Sequence, residues 1–285
     1  MAVSPDLRGS LFMMCSMAGF ALEDVLIKTA VPGVPLGQTL AILGVLGVLA
    51  FMALTRARAE AVLPRAFATR PILIRSGFEV TGRLFYALAF TLTPLTSATA
   101  ILQATPLLVV AGAAVLFGER VSAWRWAAIL SGFCGVLVIL RPGLDGYSAL
   151  SLLAVAGMIG FAGRDLATRA APPGLSNTQL GIAGFAVLSL VGVGVMLVQG
   201  RAVWPDLPQT ALLLGASLAG VAGYHALTIA MRTGAVGAVT PFRYTRLVFA
   251  LILGVSVFGE RPDALMLLGS AIVVGSGVVA LVGRR

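Results

Sequence analysis

Apolar stretches of similar length alternate along the chain with short breaks that are polar or contain Gly and Pro. Ten such stretches can be marked, at approximately 8–30, 36–55, 71–92, 95–117, 122–140, 148–170, 177–198, 209–231, 236–258 and 263–282. A helix rises 1.5 Å per residue, so about 20 apolar residues cross the ~30 Å hydrocarbon core of a bilayer. A membrane barrel would instead show alternating segments of ~10 residues, and the sequence has no such dyad pattern. The pattern predicts an all-α polytopic membrane protein with ten transmembrane helices. The first stretch sits where a signal peptide would, but the Glu23-Asp24 pair fits one poorly. The same segment also returns at 148–170, where no cleaved address could lie.

That return belongs to a larger one. Met17-Ala18-Gly19-Phe20-Ala21-Leu22-Glu23-Asp24 reappears 141 positions later as Met158-Ile159-Gly160-Phe161-Ala162-Gly163-Arg164-Asp165. At the same offset Lys28, Pro32, Gly33 and Gln38 meet Arg169, Pro173, Gly174 and Gln179. Gly82 meets Gly223, Thr99 meets Thr240, and Phe117-Gly118-Glu119-Arg120 meets Phe258-Gly259-Glu260-Arg261. The chain therefore divides into two five-helix repeats, residues 1–143 and 144–285. Five is odd, so the second repeat enters the membrane from the side opposite to the first. Inverted repeats around a central cavity are the architecture of many secondary transporters, because two similar halves of opposite orientation give two states of similar energy.

Composition agrees with a lipid environment: 59% of residues are hydrophobic and 11% charged, with mean hydropathy +1.00, against roughly a quarter charged in soluble domains. The net charge of +9 would suggest nucleic acid until its placement is considered. Eleven basic residues fall on one predicted side: Arg8, Arg56, Arg58, Arg65, Arg70, Arg120, Arg125, Arg169, Arg232, Arg284 and Arg285. Four fall on the other, Lys28, Arg141, Arg201 and Arg261. Cytoplasmic loops collect Lys and Arg. Both termini are thus expected in the cytoplasm of a multi-pass protein of the bacterial inner membrane, and no nucleic-acid partner is implied. Cys15 and Cys134 fall inside spans and read as inert, buried thiols.

Charge inside a span costs about 2.5–3.5 kcal/mol per residue at mid-helix and marks either a transport path or a paired interior. In the third span Arg75, Glu79, Arg83 and Tyr86 share one helical face. Glu79, Arg83 and Tyr86 could line a path, or the face could be an i,i+4 ladder that satisfies itself. Arg75, a turn into the span, is expected to snorkel to the interface. In the ninth span Arg243, Tyr244 and Arg246 follow Thr240-Pro241, while their twins in the fourth are Leu102, Gln103 and Thr105. Pro106 and Pro241 each remove a helix hydrogen bond, a break tolerated where a cavity or a neighbour satisfies the backbone. Arg243 and Arg246 could hold a carboxylate or neutralise Asp165, Asp24 or Glu23. Glu23-Asp24 and Arg164-Asp165 read as gate or coupling residues, with Asp24–Lys28 and Asp165–Arg169 at the spacing of intrahelical pairs. In the eighth span Tyr224 and His225 are further candidates for the path.

The repeated close of each half carries a resemblance. Ala98-Thr99, Pro106, Phe117-Gly118-Glu119-Arg120, Gly132 and Gly135 are answered by Thr240-Pro241, Phe258-Gly259-Glu260-Arg261, Gly269 and Gly275. In this the chain resembles the drug/metabolite transporter superfamily, in its ten-helix EamA-type branch of tandem five-helix repeats. Over the whole chain it looks most like the YddG-type exporters of aromatic amino acids. The resemblance implies a basket of helices one to four and six to nine around a central cavity, with helices five and ten outside it. It implies export of amino acids, preferably aromatic or hydrophobic, or of related small metabolites, by alternating access and without a cofactor. Export of another small polar metabolite, such as threonine, homoserine or a purine, is the alternative within transport. Outside transport the alternative is a membrane scaffold or assembly protein. An enzyme is not expected: the single His excludes H-E-x-x-H, and the only Lys follows Ile27 rather than the Gly of a P-loop. No metal site is implied, the partners are a small-molecule substrate and the lipid bilayer, and a monomer suffices for the architecture.

Overall fold

The computed structural model of the chain describes residues 4–92, 101–102, 104–140, 150–171, 174–258 and 264–282. These residues form helices and connecting turns, with no β-strand among them. The helices are α1 (Pro5–Ala30), α2 (Leu36–Ala57), α3 (Arg70–Leu92), α4 (Thr105–Phe117), α5 (Ala123–Leu140), α6 (Ser151–Arg169), α7 (Asn177–Gln199), α8 (Leu207–Thr233), α9 (Val236–Val239), α10 (Thr245–Phe258) and α11 (Ala264–Val282). Local signals set several boundaries. Ser176 and Gln179 form a reciprocal capping box at the start of α7, with bonds of 2.9 and 3.2 Å. Asp206 and Gln209 do the same for α8 at 3.0 and 2.8 Å, each box satisfying amides that the first turn leaves free. Helix α4 ends at Gly118 with φ +63°, a left-handed conformation that glycine adopts without steric cost.

Four helices, α1, α2, α7 and α8, are by length and composition long and apolar enough to cross a membrane. Helices α3 and α6 have the length but carry the interior charges. Outward-facing apolar residues such as Leu49, Val115, Leu190 and Leu218 are more than half exposed, as a surface solvated by lipid tails requires.

The two halves interlock instead of standing side by side. The dominant packing pairs are α1 with α8, α3 with α6, α2 with α7 and α5 with α11. Shifting by one repeat converts the first pair into the second and maps each of the others onto itself, so the packing has the two-fold symmetry of the sequence. The crossings show why certain glycines recur. A Cβ on Gly19 would lie 2.9 Å from the Gly223 Cα, and one on Gly160 would lie 2.6 Å from the Gly82 Cα. These two crossings are related by the repeat, and each needs two small residues for the backbones to touch. The repeated glutamines have matching roles. Gln38 brackets Val203 in the other half with bonds of 2.6 and 2.9 Å, and Gln179 donates to the Ala61 carbonyl at 2.8 Å.

The ninth span is broken. Short α9 leads into a 3-10 turn, Thr240–Tyr244, before α10 begins, where Pro241 cannot continue the α-helical ladder. Pro106 lies in the first turn of α4, which starts after a turn at Ala104. Gln103 and the stretch 93–100, including Thr99, lie outside the described residues, as do Gly259, Glu260 and Arg261. Helices α5 and α11 pack on each other, with the Trp124 Nε1 donating to the Val279 carbonyl at 3.0 Å.

Candidate functional site

The interior charges of α3, α6, α8 and the ninth span meet in one network centred on Glu79. This carboxylate is fully buried and accepts from Arg83 Nε at 3.0 Å, Arg164 Nη1 at 3.2 Å and the Tyr224 hydroxyl at 2.7 Å. Arg75 Nη2 lies 3.5 Å from it. Arg164 also grips Asp165 at 2.9 and 2.8 Å, and Asp165 in turn pairs with Arg243 from the broken ninth span. The ring of Tyr224 is ringed by guanidinium groups: Arg164, Arg83 and Arg75 lie 5.7, 5.9 and 6.0 Å from its centroid. Its hydroxyl fits against Gly184 of α7, where a Cβ would collide with it. Four arginines thus face two carboxylates, an excess of two positive charges. The burial of Glu79 and Asp165 is tolerable because charged hydrogen bonds take up their lone pairs.

Arg83 stands at the edge of this network. Its side chain is 18% exposed, and among the described residues its one ion pair is with a Glu79 that Arg164 and Tyr224 already share. Half-buried Tyr86 lies a turn further on, edge-on to Phe161 at 6.1 Å. From the ninth span Arg246 reaches Asp24 with bonds of 3.1 and 2.5 Å and lies 5.5 Å from the Phe20 ring. Asp24 is 55% exposed. Asp24 and Asp165 are twins in the repeat, and both are met by arginines of the ninth span, whereas Leu102 and Thr105 of the fourth bring no charge. The polarity difference between spans four and nine is therefore where the two-fold symmetry of the site breaks.

Several sequence readings change here. Arg75 does not snorkel: it is 1% exposed and donates to Thr168 Oγ1 at 3.0 Å and to the Tyr224 hydroxyl at 2.5 Å. It is a core member of the network, as is Thr168, which the sequence did not single out. The i,i+4 spacing holds for Arg75, Glu79 and Arg83 but misleads for Asp165 and Arg169. Asp165 is taken by Arg164 and Arg243, and Arg169 binds Glu119 at 3.1 Å instead. His225 packs against Phe51 of α2, with ring centroids 6.0 Å apart, and the same Phe51 ring meets Tyr224 at 6.3 Å. Tyr244 is fully buried, wedged against Gly132, and donates to the Ile129 carbonyl at 3.3 Å. It packs α5 and α11 against the ninth span and does not face the network. Gln103 lies outside the described residues, and Cys15 and Cys134 are free but exposed, not buried.

A second polar cluster ties the halves together at the end of the bundle that holds the start of α1. Glu119, turned inward past Gly118, bonds Arg169 and accepts from the Val236 amide at 3.0 Å. Arg169 also donates to the carbonyls of Met231 and Gly234 at 3.3 and 2.6 Å. Asp6 accepts from the Ala235 amide at 3.0 Å and lies 3.7 Å from Arg125. The surface concavities lined by Val45, Leu49 and Leu190 and by Ile42, Leu46 and Met196 belong to the apolar outer face of α2 and α7, away from both clusters.

An interlocked inverted repeat in a lipid-solvated bundle, with charges gathered inside it and its halves joined by a polar cluster at one end, defines a secondary transporter of a small molecule. The comparisons agree. The EamA-like transporter family matches twice, over residues 7–141 and 146–282, and the chain belongs to that family. It is 28% identical to a riboflavin transporter of Rhizobium johnstonii, over 74% of this chain and 68% of that one. It is 26% identical to the pseudopaline exporter CntI of Pseudomonas aeruginosa, over 93% of both chains. A crystal structure of another protein, 21% identical, matches the fold over 97% of both chains with a TM-score of 0.83. Members of this family carry solutes and are not enzymes.

Proposed function

We propose that this chain exports amino acids, preferentially hydrophobic or aromatic ones as in the YddG-type exporters, from the cytoplasm across the bacterial inner membrane by alternating access. The observation that carries the reading is Arg83, a partly exposed guanidinium that shares its carboxylate partner Glu79, lies 5.9 Å from the Tyr224 ring, and stands a turn before Tyr86, which meets Phe161. A guanidinium fork suits a substrate carboxylate, and ring faces suit an apolar side chain. Glu79, Arg164, Asp165 and Arg243 hold Arg83 and Tyr224 in position. The halves that rock against each other are residues 1–143 and 144–285. The cluster of Asp6, Glu119, Arg125 and Arg169 lies at the cytoplasmic end, where both termini reside, and seals it while the Asp24–Arg246 side stays accessible.

The test is uptake into proteoliposomes of labelled phenylalanine, tryptophan, threonine and methionine, with and without a pH gradient. Saturable uptake of the aromatic pair, lost in Arg83→Gln, is the expected result. Folded protein that takes up none of the four while carrying a nucleobase or another polar metabolite would replace the amino-acid reading with the alternative.

A further inference from the structure

Four carboxylates lie in the spans around the site, and three have an evident counterpart. Glu79 and Asp165 are saturated by arginines and Tyr224, and Asp24 holds Arg246. Glu23 is different: among the described residues it makes no hydrogen bond and no ion pair. It is half-buried in α1, and its carboxylate lies against Gly220 of α8, where a Cβ would come within 2.6 Å of Oε1. Arg83 from α3 and Arg246 from α10 face it electrostatically, with Asp24 as the neighbouring like charge. Among the described residues Arg246 is engaged in an ion pair by Asp24 alone, whereas Arg83 pairs with a Glu79 that Arg164 and Tyr224 also hold, which leaves Arg83 the less fully neutralised of the two.

Helices α1 and α3 share no substantial packing. Each is held instead by the crossing with its partner from the other half, α8 and α6. Glu23 against Gly220 and Arg83 over the Tyr224 ring nevertheless stand one turn apart on the same face of α8, and beyond ion-pair distance of one another. A carboxylate at this depth without a hydrogen-bond donor is costly. An ammonium group would bring three donors and a positive charge, while the carboxylate of the same molecule would meet the Arg83 fork.

We infer that Glu23 and Arg83 are the two poles of a head-group site for an α-amino acid, Glu23 receiving the ammonium and Arg83 the carboxylate. The inference rests on the amino-acid reading above and deepens it by naming the second pole. It requires recognition of the zwitterion as such: an analogue lacking either group leaves one pole without its partner. Sites built to hydrogen-bond a group discriminate strongly against ligands that lack it. Gly220 belongs to the site because a Cβ there would push the Glu23 carboxylate out of its present place.

The experiment measures uptake of labelled phenylalanine into proteoliposomes by the full chain, with 3-phenylpropionate and phenethylamine as competitors. In the parent protein each single-pole analogue should compete at least about tenfold less well than unlabelled phenylalanine. Glu23→Gln should raise KM about tenfold or more and make 3-phenylpropionate compete as well as phenylalanine. Glu23→Asp should recover part of the loss. Unchanged KM and unchanged selectivity in Glu23→Gln, with the parent active, would overturn the second pole and leave the amino-acid reading standing. A parent protein that carries no amino acid would overturn both. If Glu23→Gln does not survive purification, Gly220→Ala tests the same pole without altering charge: a raised KM supports it, and an unchanged one overturns it.

Discussion

Replacing Glu79 by Gln should unfold the centre of the protein, whereas replacing Arg83 by Gln should not. Glu79 is fully buried and serves Arg75, Arg83 and Arg164 together with the Tyr224 hydroxyl. Without its charge, Asp165 alone would face four guanidinium groups, raising the positive excess from two to three. Breaking a buried charge pair from one side costs about 3–5 kcal/mol, because the partners stay buried and unpaired. Arg83→Gln leaves Glu79 its bonds from Arg164 and Tyr224, and the lost side chain is partly exposed, so the cost should be about 1 kcal/mol or less. For a chain of this size each kcal/mol shifts the melting temperature by roughly 2–4 °C. Glu79→Gln should therefore melt about 10 °C below the parent in a detergent thermal-stability assay, and Arg83→Gln within a few degrees of it. The reasoning fails if Glu79→Gln melts with the parent, or if Arg83→Gln is destabilised as much as Glu79→Gln. Either outcome would mean that the network is not centred on Glu79.

Four further outcomes follow from the packing and the two clusters. Tyr224→Phe removes a donor to Glu79 and an acceptor for Arg75 at one stroke, and should cost about 1–3 kcal/mol, read by the same assay. Gly160→Ala forces a Cβ into the backbone of Gly82, so it should lower the yield of folded, monodisperse protein. Gly194→Ala, whose added Cβ would meet nothing within 4 Å, should behave as the parent. Glu119→Gln breaks the ion pair with Arg169 and weakens the hold on the start of α9. In a cysteine-free background it should speed thiol labelling of Ala238→Cys from the side that holds the α1 N-terminus. An unchanged labelling rate would show that the cluster does not hold that end closed.

The repeat shows how far the sequence reached by itself. The 141-residue offset is a property of the string, and it already implied that the packing must obey a two-fold relation. The Gly19–Gly223 and Gly82–Gly160 crossings fulfil that implication. The span pattern likewise followed from length and hydropathy, because a bilayer leaves few ways to bury apolar helices. Pro241 marked the break in the ninth span because a missing amide acts locally, whatever the neighbours.

The pairing of the charges was decided only by the tertiary structure. Periodicity placed Arg75, Glu79 and Arg83 on one face of α3, but it could not say which helix that face meets. Asp165 had Arg169 at a suitable spacing on its own helix, yet Arg243, 78 positions away in the chain, holds it, and Arg169 turns to Glu119. Tyr224 and His225 are adjacent in sequence and both meet Phe51 of α2, yet it is Tyr224 that bonds Glu79 and Arg75, since successive side chains on a helix diverge by about 100°. Which of them enters the network depends on how α8 is rotated at the Gly19–Gly223 crossing. An ion pair inside a membrane is fixed by the closest opposite charge in space, and helix crossings bring together residues that no spacing rule connects.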